Sequence, residues 1–146
     1  MARSEVSYTY EADTAFRTPG SAAVTANGNF GEFALDKLVN AREGDQKNKL
    51  GAEGYAIVIA VENAVTAAGD ETYQFDVVVG PAGLSTSVLA GATSVVGAGQ
   101  YVIMVDAHTI EKLSADRESL GLNVTVGGAS PSITFSAWVA YANNHG

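Results

Sequence analysis

Asp106 and His108 stand two residues apart, and on an extended strand both side chains point to one face, where a carboxylate can orient an imidazole. Such a pair does chemistry only beside a nucleophile. Thr109 is the neighbouring hydroxyl, and no Gly-x-Ser-x-Gly elbow exposes a serine. His108 therefore reads as an edge or turn residue. His145 lies in the stretch Asn143-Asn144-His145-Gly146 and is expected to be exposed or frayed. Two histidines without convergent spacing, in a chain with no cysteine, fall short of the ligands of a zinc site. Gly69-Asp70-Glu71 offers carboxylate oxygens but not the ligand ladder of a calcium loop. Asp76 is a formal candidate for one of a glycosidase's two carboxylates, and no second can be assigned. No phosphate-cradling glycine loop leads into a lysine, and Gly97-Ala98-Gly99 reads as a turn. The sequon Asn123-Val124-Thr125 falls inside a predicted strand and is expected to be unmodified. Trp138 with Tyr8, Tyr10, Tyr55 and Tyr141 could build a sugar-stacking face, although aromatics at strand spacing are more often core or interface. These residues predict no enzyme, no metal and no cofactor.

The elements that would carry them are strands. Val6, Tyr8 and Tyr10 alternate with Ser7 and Thr9, the period of a half-buried strand. Ala22, Val24 and Ala26 make a weaker candidate, and Asn27-Gly28 after it suits a tight hairpin turn. Phe30, Phe33 and Leu35 predict a short irregular strand. From Tyr55 to Val61 both alternating faces are apolar, so this strand should be central and covered on both sides. Tyr73, Phe75, Val77 and Val79 share one face, opposite Gln74 and Asp76. Residues 86–90 and 94–96 read as two short strands separated by Gly91, and residues 101–105 as a buried one. Residues 111–118 are the single candidate for a helical turn, too short and polar to form alone. Leu120, Leu122, Val124 and Val126 alternate cleanly, as do Ile133, Phe135, Ala137, Val139 and Tyr141, with Trp138 on the other face. Eight to ten short strands with glycine-rich turns predict an all-β fold, an antiparallel β-sandwich, jelly roll or small barrel, of which the sandwich or jelly roll is the expectation taken forward.

The chain has 146 residues, of which 47% are hydrophobic and only 16% charged, enough apolar material for one packed domain. Its formal charge of −8 argues against direct nucleic-acid binding and against anionic membranes. No stretch has the length and apolarity of a membrane span, and the first residues lack an apolar signal core, so a cytosolic product is expected. Segment 36–53 holds Lys37, Arg42, Lys47 and Lys49, half of the eight basic residues, and balances them with four acidic ones. It reads as a solvated loop or as an arm that orders on a charged partner. The sequence divides into an N-terminal arm with edge strands, residues 1–31, and a sandwich domain, residues 32–146, that includes the charged loop. Low charge, small residues and apolar sheet faces favour association through a face or an edge.

Three stretches carry a family resemblance: Tyr55-Ala56-Ile57-Val58-Ile59-Ala60-Val61-Glu62, then Ala67-Ala68-Gly69-Asp70-Glu71-Thr72-Tyr73-Gln74-Phe75-Asp76-Val77, then Glu118-Ser119-Leu120-Gly121-Leu122-Asn123-Val124-Thr125-Val126-Gly127-Gly128. In order and spacing they resemble the small jelly-roll cement (decoration) proteins on the capsids of tailed bacteriophages. The chain departs from that pattern at Val124, where the family often has an aromatic. The resemblance implies a virion protein on the capsid exterior, made in the host cytoplasm. It implies a homodimer or homotrimer that ties neighbouring copies of the major capsid protein together, with no catalytic residues. Residues 1–16 and 36–50 are the expected contact arms, with Tyr8, Tyr10, Phe16, Arg42, Lys47 and Lys49 prominent. The competing expectations are a carbohydrate-binding module or fibre receptor-binding head, which needs an exposed aromatic row including Trp138, and a jelly-roll enzyme, which needs a cleft with clustered titratable groups.

Overall fold

The computed structural model describes residues 3–6, 15–34, 55–84, 86–105 and 119–145. Nine strands form among them, and no helix: β1 Arg3–Val6, β2 Ala15–Arg17, β3 Gly28–Ala34, β4 Tyr55–Ala64, β5 Thr72–Gly80, β6 Val88–Val95, β7 Gly99–Val105, β8 Ser119–Gly127 and β9 Ile133–His145. All pairings are antiparallel. One sheet runs β1-β9-β4-β7, with β2 also on β9, and the other runs β3-β8-β5-β6.

The pairings have a simple logic. β5 pairs β6, β4 pairs β7, β3 pairs β8 and β2 pairs β9, so the chain from β2 to β9 is one long ribbon doubled back on itself. Rolling that ribbon brings β9 beside β4 and β8 beside β5. The result is the two-sheet winding of a jelly roll.

Alternation in the sequence decides which side chains meet inside. Ile57, Ile59 and Val61 of β4, Tyr73, Phe75, Val77 and Val79 of β5, Leu120, Leu122 and Val124 of β8, and Phe135, Ala137 and Val139 of β9 pack into one core between the sheets. All five phenylalanines lie in that core or against it. Phe75 meets Phe135 edge-on at 4.8 Å, Phe135 meets Phe30 at 5.8 Å, and Phe16 meets Phe33 at 5.0 Å. The predicted double burial of the strand from Tyr55 to Val61 is borne out. Ala56 and Val58 turn to the outer face of their sheet, yet they are fully buried in a second cluster with Trp138 and Ala140.

Tyr73 closes one end of the sandwich. Its buried hydroxyl donates to the Val65 carbonyl at 2.5 Å and accepts from the Ser132 amide at 2.9 Å, tying the β4–β5 turn to the entry of β9. Gly128 follows at φ 101, with Asp70 O and Glu71 Cα only 2.7 Å from where a Cβ would stand. No other residue type fits that crossing without strain.

Several expectations change. The two short strands expected at 86–90 and 94–96 are one strand, β6 over Val88–Val95, because Gly91 is a point of close approach and not a break. A Cβ there would lie 2.7 Å from Ile103 Cγ2 on β7. Asn27-Gly28 makes no hairpin: Val24 bridges to Ile133 in one sheet while Gly28 pairs with Val124 in the other, so the chain crosses between layers there. Asn27 Oδ1 caps the crossing by accepting from the Val126 amide at 2.8 Å. The irregularity expected around Phe30 is a register shift between Asn29 and Glu32. β9 continues to His145, whose backbone pairs with Arg3 instead of fraying. The division at residues 31 and 32 falls inside β3, and the sandwich already includes β2 and Val24. The candidate helical turn at 111–118 and the charged loop 36–53 lie outside the described residues.

Candidate interaction surface

The residues expected to do chemistry do not converge. Asp106 and His108 lie outside the described residues, and of His145 only the backbone is described. Asp76 sits in mid-β5, facing outward, and its Oδ1 accepts from Gln74 Nε2 at 2.9 Å. Among the described residues, no three His, Cys, Asp or Glu side chains stand together as a metal group would require. Asn123 is in β8, a central strand, and its Oδ1 accepts from Asn29 Nδ2 at 2.7 Å. A groove of about 460 Å3 opens beside β5 and β6, lined by Thr66, Thr72, Gln74, Ser94 and Thr125 with the single carboxylate Glu71. Glu71 Oε1 is taken up by the turn before β5, accepting from the Ala68 amide at 3.2 Å. Trp138 is 6% exposed and packs on Val58, so it cannot lead an exposed aromatic row.

Of the expected contact residues, Tyr8, Tyr10, Arg42, Lys47 and Lys49 lie outside the described residues. Phe16 is a core side chain. It is 8% exposed and fills the gap that Gly31, at φ 132, leaves beside it, with Phe16 Cδ1 3.0 Å from the position of a Gly31 Cβ. The expectation that it meets a partner is therefore corrected. Its neighbour Arg17 is also directed inward. The guanidinium lies 5.1 Å from the Phe30 ring centre and 5.3 Å from that of Phe135, and it donates to the Ala22 carbonyl.

Exposed apolar side chains stand instead on the two strands that end their sheets and in the turn between them, Leu89 and Met104 on opposite outer faces of the sandwich and Val96 at the far end of both strands. The large exposed hydrophobics among the described residues are Leu89 of β6 at 53%, Met104 of β7 at 51%, and Val96 of the turn between them at 83%. Tyr101 holds that turn by accepting from the Val96 amide at 3.3 Å and donating to the Gly97 carbonyl at 3.0 Å, which fixes Val96 outward. Gly91 lets Ile103 press against β6, so the two edges stand one above the other. The sequence carried a signal for this side that strand alternation does not reveal. From residue 77 to residue 105 there is no charged side chain, in a protein of net charge −8.

The opposite end of β5 and β6 is polar and latched. The β5–β6 loop folds back over the outer face of its sheet. Leu84, at φ 56, lies over Gly121, and a Cβ on Gly121 would collide with its side chain. Glu32 Oε2 accepts from the Gly83 amide at 2.9 Å and receives a second hydrogen bond from the Ser119 side chain. These two bonds stabilise the charged form and hold the Glu32 carboxyl below its ordinary pKa.

Fold and surface thus define an all-β sandwich with one charge-free edge side and, among the described residues, no group of three His, Cys, Asp or Glu that could hold a metal. No protein family, curated protein or solved structure matches this chain.

Proposed function

We propose that the chain is a capsid cement protein, one that binds the outside of a bacteriophage shell and ties neighbouring major capsid proteins together. The observation that carries this reading is the β6–β7 side: two sheet edges without charge, set with exposed Leu89, Val96 and Met104, on a domain whose polar groups form no deep cleft among the described residues. A protein that works by adhesion uses edges and faces, and repetition on a lattice multiplies modest contacts into firm attachment. The three stretches that resemble cement proteins fall on β4, on β5 with the turn before it, and on β8 with its flanking residues. Those strands supply much of the jelly-roll core, so the resemblance bears on the part of the chain that determines the fold.

The reading as a carbohydrate-binding module or receptor-binding head required Trp138 at the surface, and it is buried. Of the expected arms 1–16 and 36–50, Arg3–Val6 is strand β1 on β9 and Phe16 is core, and the remainder is the proposed contact toward the shell, with Tyr8, Tyr10, Arg42, Lys47 and Lys49 as contacts. Phe16 leaves that set. A chain lacking residues 1–12 loses β1 but keeps β2, Phe16 and the core, and should stay folded, with a β-rich far-ultraviolet circular dichroism spectrum and cooperative melting. It should lose attachment to shells assembled from the major capsid protein encoded with it. Full attachment by this truncated chain would remove the N-terminal segment from the interface.

A further inference from the structure

We propose that two copies of this chain pair through β7 across a two-fold axis, continuing the β9-β4-β7 sheet from one copy into the other. This rests on the reading of the chain as an adhesive, non-catalytic protein and names the partner of its charge-free side.

The edge itself is the first argument. Among the described residues β7 pairs with β4 alone, so its other side presents unpaired backbone donors and acceptors. Natural edge strands are normally protected by charge, proline, a bulge or shortness. β7 has none of these. Its sequence, Gly99-Gln100-Tyr101-Val102-Ile103-Met104-Val105, holds no charge and no proline, and every residue is in unbroken register with β4. The neighbouring edge β6 does carry a device. Its register against β5 shifts between Val77 and Val78, leaving Ala90 as an extra, bulged residue. The two edges are therefore unequal, and β7 is the one left open to pairing.

Charge selects the occupant. A basic partner would be drawn to the carboxylates that give the chain its −8, and an uncharged edge offers it nothing. Two copies of an acidic chain repel one another except where both are neutral, which is the side formed by residues 77–105. An antiparallel strand paired with itself is also self-complementary under a two-fold axis. Centred on Val102, the middle of β7, the pairing sets Gln100 opposite Met104 of the second copy and Gly99 opposite Val105. Met104, on the outer face of its sheet, then stands beside Gln100 of the second copy across the seam. Val96, at one end of β7, is carried toward the Leu89 end of the other copy.

Sedimentation equilibrium of the full chain tests the pairing. A dimer is expected, tightening as salt screens the shared negative charge. Met104→Lys sets a charge from each copy beside an otherwise uncharged seam and should weaken the dimer several-fold. Thr125→Lys adds the same charge on the polar outer face of the other sheet and should leave it unchanged. Because the chain has no cysteine, Gln100→Cys accepts a single spin label, and the two labels of a dimer should lie at one short distance. A monomer at all concentrations, a trimer, or a dimer indifferent to Met104→Lys overturns the pairing. Shell attachment is assayed separately. A monomer that still saturates shells overturns this inference and leaves the cement reading standing, whereas a dimer that ignores shells does the reverse.

Discussion

Glu32 shows how one carboxylate can hold a loop. Its oxygens receive the Gly83 amide and the Ser119 hydroxyl, and those bonds keep Leu84 seated over Gly121 despite its left-handed backbone. Its pKa in the folded chain lies below the ordinary value. The sign follows from linkage: the unfolded chain takes up this proton first, so the contribution to stability is complete above the ordinary carboxylate range. It is lost as pH falls through the lowered folded value. Glu32→Gln should flatten that part of the acid limb in a series of thermal melts, and hydrogen exchange at Gly83 should quicken. An acid limb identical to that of the unaltered chain would show that the latch does not depend on the charge.

At the scale of elements, the decisive contact is between the two edge strands. Gly91 of β6 admits Ile103 of β7, and Gly91→Ala places a methyl 2.7 Å from Ile103 Cγ2. Overpacking of this kind costs about 1–3 kcal/mol. Combined with Ile103→Ala the cost should be less than additive, as read by denaturant midpoints, whereas strict additivity would mean the two strands do not press together there. The same glycine explains what the sequence could and could not reveal. Strict alternation through β4, β5, β8 and β9 announced the core strands and their inward faces, because burial on one side of a pleat leaves a period of two. Gly91 looked like a break because a residue chosen for another strand's approach carries no local signature. Asn27-Gly28 looked like a hairpin turn because turn chemistry does not say which sheet receives the next strand. Phe16 looked like an arm residue because it stands in a short β2, away from any long apolar run, and its core role depends on Gly31 half a layer away. The surface was less legible than the core. Leu89, Val96 and Met104 are ordinary apolar residues in sequence, and only strand order shows that they belong to the two edge strands and the turn between them.

For the molecule as a whole, the distribution of charge divides the labour. Net negative charge lies outside residues 77–105, and that neutral side is the proposed seam of self-association. The proposed contacts with the shell are drawn from the expected arms 1–16 and 36–50, outside β1 and Phe16. A jelly roll built in this way needs no moving part, since a rigid sandwich transmits load between the neighbours it touches. The account predicts that attachment is stoichiometric with the lattice. Shells assembled without the chain, titrated with the purified protein and weighed by native mass spectrometry, should saturate at one fixed ratio to the major capsid protein and then resist heat-induced rupture better than bare shells. Saturation at only a few copies per particle, or no uptake at all, would contradict the assignment of this protein as capsid cement.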